Sequence, residues 1–250
     1  MKAKNMFLVV LGLVAVFSAA GLGVPCDVKA YFVSPSIDNV IEPQIIQALS
    51  DAQSEILIAM YSFTDDEIGN AVVAAFQRGV DVRVLLDDGQ DSSAQGREWP
   101  RLVDARTPIA VEHESGLLHD KFAVIDCVVV ITGSYNWTDS ADQRNFENIV
   151  VITCPDLASK YREEFFRMAR EIGTEWEINK KSGESDIRCS CLNRLNSASY
   201  DDFHSVDGIG DVLAQRLVDA QPYASVEALD DVQGIGPAKM KAIIDQLCSE

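Results

Sequence analysis

Apolar residues along this chain come in short runs cut by polar stretches, and the spacing within the runs sets out a succession of elements. Residues 29–33 and 55–60 read as strands, the second apolar enough to be buried on both faces. Residues 43–52 put Ile45, Ile46 and Leu49 on one helical face. Asp65 and Asp66 open a helix reaching about Arg78, because carboxylates suit the positive end of a helix dipole. Gly79 closes it and residues 81–86 form the next strand. This β-α-β rhythm predicts a mainly parallel sheet with crossover helices. Residues 87–96 form a polar loop with aspartates at 87, 88 and 91; lacking a downstream glutamate at calcium-loop spacing, it reads as solvated. A short helix is predicted over 97–105, a short strand over 109–111 and a longer helix over 155–171, whose Tyr161, Phe165 and Phe166 belong to the core. Residues 178–193, with Lys180, Lys181, Ser182, Gly183 and Ser185, have no apolar period and read as a linker.

Candidate chemistry is concentrated between these elements. His119 and Lys121 lie two apart in a predicted strand, so alternation puts both on one face, while Asp126 has opposite parity and points away, in a structural role. A turn at Cys127 and Val128 lets residues 129–132 return antiparallel, bringing Gly133, Ser134 and Asn136 back beside His119. A base, a cation and an amide then surround one position that suits an anionic phosphodiester.

The spacing His119-x-Lys121-x4-Asp126-x6-Gly133-Ser134-x-Asn136 resembles the phospholipase D superfamily signature. The likeness extends over about 28–173, through 56–63 (ILIAMYSF), 83–88 (RVLLDD) and Asn145-Phe146-Glu147-Asn148, to the small bacterial endonuclease branch. The resemblance implies an α/β domain with a mixed sheet flanked by helices, and a phosphodiesterase needing no cofactor and no metal. It implies His119 as nucleophile, Lys121 and Asn136 holding the non-bridging oxygens, Ser134 as a secondary donor and Glu147 as the carboxylate orienting the histidine, with Asn148 near the site. Family members with two motifs in one chain join them at one site. Here His113 and His204 lack the following lysine, so the likeness implies a homodimer with two His119 side chains facing one phosphorus.

A second pattern repeats after Leu195. Gly208-Ile209-Gly210 and Gly234-Ile235-Gly236 are 26 residues apart, each after a short helical stretch and before a helix, at 211–220 and 237–247. Glycines permit a tight hairpin and leave backbone N–H groups open to a phosphate. Residues 194–250 resemble an all-α tandem helix-hairpin-helix domain, as in competence-type DNA-uptake proteins, which implies sequence-independent contact with the DNA backbone. Four basic residues against ten acidic ones leave protein docking as the alternative. Lys239 and Lys241 follow the second hairpin while Asp207 and Asp211 flank the first, so DNA is expected mainly at the second.

The formal charge of −18 over 250 residues excludes a general DNA-coating protein, since long-range attraction to nucleic acid is missing; a nuclease with a locally positive cleft remains compatible. Lys2 and Lys4 precede an uncharged run at 6–24, which reads as a secretory signal peptide cut after 18–20 or 21–23, or as a retained membrane tether. Either way the folded part is expected outside the cytoplasm, secreted, periplasmic or at the cell surface. Pro25 and Gly23 fit a lipidation box at Cys26 poorly. Six cysteines in an exported chain suggest disulfides, with Cys127 near Cys154 and Cys248 near Cys189 or Cys191; Cys189-x-Cys191 is a poor zinc spacing. Three functions follow: a DNA endonuclease, a phospholipase on membrane lipid, or a non-enzymatic surface receptor for DNA uptake.

Overall fold

The computed structural model describes residues 26–36, 40–90, 98–112, 116–174, 180–223 and 225–248. The expected signal or tether segment at 6–24 lies outside the described residues, as does His113. No helix among the described residues is long and apolar enough to cross a membrane.

One seven-stranded mixed sheet organises the first domain. Its strands are β1 (Asp27–Val33), β2 (Glu55–Met60), β3 (Asp81–Asp87), β4 (Ile109–Glu112), β5 (Lys121–Ile125), β6 (Val129–Gly133) and β7 (Glu147–Thr153), in the order β1-β7-β6-β5-β2-β3-β4. All six residues of β2 are buried, and their side chains alternate between two cores. Ile56, Ile58 and Met60 meet α1 (Glu42–Asp51) and α2 (Asp66–Gln77), whereas Leu57 and Ala59 meet α5 (Pro155–Glu171) through Ala158, Phe165 and Met168. Asp65 caps α2, accepting from the Glu67 and Ile68 backbone N–H groups.

The expectation of a mainly parallel sheet is corrected. Only β2–β3 and β3–β4 run parallel; the other four pairings are antiparallel. Connection length decides this, because the few residues between β5 and β6 cannot hold a crossover. That turn takes the left-handed region at Asp126 (φ 51°) and Cys127 (φ 62°). The Asp126 carboxylate fixes it against β2, accepting from Gln53 N (2.9 Å), Ser54 N (2.7 Å), Ser54 Oγ (2.8 Å) and Glu55 N (3.0 Å).

Asp87 departs from the solvated loop expected of it. It ends β3, is buried, and accepts from the backbone N–H groups of Gly89 (3.1 Å) and Leu118 (3.0 Å), fixing the chain just before His119. The fully buried side chain of Glu98, in α3 (Glu98–Asp104), packs against Gly69 of α2, where a methyl group would collide with it. Burial, opposed by Arg101 and reinforced by Asp66, raises its pKa from about 4.5 to about 7. The fold therefore favours the protonated acid. Its stabilising contribution is complete below about pH 4.5 and is lost as the pH rises through about 7. Glu98→Gln is expected to raise stability at pH 8 by about 1–2 kcal/mol and to flatten its pH dependence, measured by urea unfolding.

Of the stretch expected to be a linker, the described residues 180–193 are helical. α6 (Lys180–Ser197) buries Cys189, Cys191, Leu192 and Leu195, and it is bonded at both of these cysteines. The disulfides are Cys26–Cys154, Cys127–Cys189 and Cys191–Cys248, so the expected Cys127–Cys154 bridge is not formed. Pairing of Asp27 with Thr153 on the edge strand places Cys26, not Cys127, opposite Cys154. Beside Cys127, buried Glu55 receives a two-pronged ion pair from Arg162 of α5, at 2.8 and 3.1 Å.

The second domain follows from α6. α7 (Tyr200–His204), with a capping box between Ser199 and Asp202, leads to the first glycine hairpin and α8 (Asp211–Asp219). A 3-10 turn at Val226–Asp231 leads to the second hairpin and α9 (Pro237–Leu247). Ile209 and Ile235 are buried in a core that also takes in Leu195, Leu217, Ile243 and, from the first domain, Val128.

Candidate active site

The sheet register gathers one set of residues at a single end. Met60 at the close of β2 pairs with Lys121 at the start of β5; Gly133 at the end of β6 pairs with Ile149; Glu147 at the start of β7 pairs with Val33. His119, Lys121, Ser134, Asn136 and Glu147 thus come from segments far apart in sequence to one edge. Gly133 is required there by close approach, because a Cβ would collide with the Asn148 carbonyl of β7.

His119 stands two residues before β5 rather than within a strand, and its side chain is exposed. Backbone pairing is carried past the end of β2 by a hydrogen bond from Tyr61 N to Asp120 O (3.0 Å). Lys121 Nζ donates to the His119 carbonyl (2.8 Å) and lies 3.4 Å from His119 Nδ1. Burial pulls the Lys121 pKa down, while Asp120 and Glu147 oppose that shift.

Alternation explains the return segment. Tyr135 and Trp137 are buried, while Ser134 and Asn136 take the opposite side. Trp137 anchors the segment: its N–H donates to Ser62 O, its carbonyl accepts from Thr64 and Asp65, and its ring meets Phe63 edge-on at 5.0 Å. The Asn136 side-chain oxygen is buried without a hydrogen-bond partner, so its amide NH2 is the group left to meet a ligand.

Two residues take other partners than expected. Ser134 gives its one hydroxyl hydrogen to Glu147 Oε2 and accepts from Asn148 N (3.2 Å). It therefore holds the carboxylate instead of offering a donor to phosphate. Glu147 Oε1 accepts from Asn145 Nδ2 (2.9 Å), so both carboxylate oxygens are occupied within the chain and neither contacts His119. Asp126 lies at the opposite end of β5, in the turn it fixes. Sequence reasoning missed Asn145 and Tyr61, the latter looking like one more residue of the β2 run.

A model of the "Cardiolipin synthase, PLD-like domain" family matches residues 45–169. The chain belongs to the phospholipase D superfamily. A helix-hairpin-helix motif model matches residues 194–248. A mitochondrial cardiolipin hydrolase of Canis lupus familiaris is 32% identical over 158 residues, covering 62% of this chain and 62% of that protein. A phospholipase D of Rickettsia prowazekii is 35% identical over 122 residues, covering 49% and 59%. The chain thus spans about three fifths of the length of these curated relatives. Among solved structures, Nuc of Salmonella typhimurium, a phospholipase D family member, superposes with a TM-score of 0.53 at 30% identity, covering 57% of this chain and 93% of that one.

The helix-hairpin-helix region has its own geometry. Gly208 (φ 84°) and Gly234 (φ 96°) occupy the left-handed region that a side chain disfavours, while Gly210 and Gly236 cap α8 and α9. At the second hairpin Lys239 Nζ donates to Gly234 O (2.8 Å), Arg216 donates to Gln233 O (2.7 Å), and Lys241 pairs with Asp245. At the first, Asp211 accepts from Tyr200 (2.9 Å) and lies 3.0 Å from His204. Basic groups gather at the second hairpin and acidic ones at the first.

Proposed function

We propose that this chain is an exported, metal-independent phosphodiesterase that cleaves DNA with little sequence preference, acting as a homodimer through a phosphohistidine. The observation carrying this reading is the convergence of His119, Lys121 and Asn136 on one sheet edge, in a chain that also has two helix-hairpin-helix units. His119 of one subunit attacks phosphorus, forming an N–P bond as the P–O bond to the leaving nucleoside breaks. The partner's His119 protonates that oxygen, then takes a proton from water, whose oxygen attacks phosphorus and releases His119. Lys121 supplies positive charge that a metal ion supplies in other nucleases. It must remain protonated, so its lowered pKa brings the alkaline loss of activity to a lower pH than an ordinary lysine would.

Exposed Phe32 and Phe146, which flank Asn148 on β1 and just before β7, offer an apolar patch beside the site for the second subunit. The three disulfides suit an oxidising compartment. Lys239, Lys241, Arg216 and the N–H groups of Gly234 and Gly236 are the groups for backbone phosphates, more than those of Gly208 and Gly210. The competing substrate is a phospholipid, favoured by the names of the two curated relatives.

The test uses the full chain with supercoiled plasmid, and separately with vesicles of cardiolipin and phosphatidylcholine, each in excess EDTA. Nicked plasmid without phosphatidic acid or phosphatidylglycerol release is expected. Lipid hydrolysis without nicking overturns the nuclease reading, abolition by EDTA overturns the metal-free mechanism, and DNA binding with neither product leaves the receptor.

A further inference from the structure

We propose that Tyr61 is a positioning residue of this site, its ring forming the platform against which the His119 imidazole and the Lys121 ammonium are held in register. The inference deepens the phosphodiesterase reading and rests on it. Three contacts define the platform. The Tyr61 ring centroid lies 4.7 Å from that of His119, the planes tilted by 48°. Lys121 Nζ stands 5.1 Å from the same centroid, within cation–π range. The ammonium in turn touches His119 at its carbonyl and faces Nδ1.

The backbone explains why Tyr61 rather than a neighbour has this place. Its N–H is bonded to the carbonyl of Asp120, the residue between His119 and Lys121, so the ring is fixed opposite both side chains. Segment 62–65 is bonded to Trp137 immediately afterwards, which prevents Tyr61 from drifting away from β5.

The need for such a platform follows from what else surrounds the histidine. His119 is exposed, and the carboxylate expected to orient it, Glu147, has both oxygens engaged by Ser134 and Asn145. Among the described residues, Tyr61 makes the ring contact with the imidazole and Lys121 the polar one. An exposed imidazole without a fixed neighbour samples several rotamers, and each departure from in-line geometry lowers the fraction ready to attack. A ring against one face restricts that freedom and leaves an in-plane nitrogen lone pair open to the phosphate. The same ring shields the ammonium from water while its π-face favours the charge.

The full-length protein with Tyr61→Leu and Tyr61→Phe provides the test. Tyr61→Leu is expected to lower kcat by about 30-fold or more with KM changed less than about 3-fold, and Tyr61→Phe to restore kcat to within about 3-fold of wild type. An undiminished kcat in Tyr61→Leu overturns the proposal, and so does a Phe variant as slow as Leu. A second measurement needs no turnover: modification of His119 by diethyl pyrocarbonate, followed by peptide mass mapping. Release of the imidazole from the Tyr61 ring should make it several-fold faster in the Leu variant and unchanged in the Phe variant; equal rates in all three overturn the platform. A wild-type protein inactive on both DNA and lipid overturns the phosphodiesterase reading instead, and the modification rates distinguish the two failures.

Discussion

Replacing His119 with alanine is expected to reduce phosphodiester cleavage by about 10^4-fold or more, because no nucleophile remains to share the displacement between two easier steps. The side chain is exposed and packs into neither core, so the variant should unfold at the same urea concentration as wild type. Brief quenching of wild type in acid-free conditions with labelled substrate should leave the phosphoryl group, still esterified to the retained DNA fragment, on the peptide containing His119, and the alanine variant should carry none. The dimer gives a sharper form of the result. When equal amounts of both chains are co-expressed and assort at random, about a quarter of the dimers carry two histidines. If each site needs both, activity should fall to about that quarter; a chain working alone would retain about half. Retention of half sinks the two-histidine mechanism while leaving the nucleophile in place.

Asp126→Ala is expected to destabilise the first domain by about 3 kcal/mol, seen as a lower midpoint in urea with disulfides intact. Three backbone N–H groups and the Ser54 hydroxyl lose their common acceptor. These bonds share one carboxylate, so their contributions do not add independently. Asp126→Asn keeps an oxygen for the Ser54 and Glu55 donors and should lie between the two, at about 1–2 kcal/mol. Folded molecules of Asp126→Asn should turn over within about 3-fold of wild type, since the carboxylate is at the wrong end of β5 to touch a substrate. A 100-fold loss of kcat in well-folded Asp126→Asn, roughly 2.7 kcal/mol of transition-state stabilisation, would give this aspartate a part in the chemistry.

Much of this architecture could be read from local pattern. The six buried residues of β2 and the span of α5 follow from apolar runs and from Pro155 at a helix start. Strand direction could not be read this way, because period-two alternation is the same in parallel and antiparallel strands. α6 escaped notice since its anchoring is non-local, made by Cys127 and Cys248 from outside the helix. The partner of Cys154 depended on β1 lying beside β7, a neighbourhood that no spacing specifies, whereas Cys248 pairs with Cys191, one of its two expected partners. At the site, the residue types and their common edge were legible, whereas hydrogen-bond choices were not. Ser134 can donate to a phosphate or to Glu147, and only the register of β6 against β7 decides between them. Tyr61 was concealed by its position directly after β2, where an aromatic ring extends the hydrophobic run.

The β5–β6 hairpin is bolted at its closed end to the helical domain, through Cys127–Cys189 and the seating of Val128 among that domain's apolar side chains. Its open end carries the histidine. The five residues of β5, about 17 Å of extended chain, lie between the anchored turn and the segment that carries His119. The helical unit is thus carried as a fixed handle and not on a leash, and its offset from the imidazole is written into one short strand.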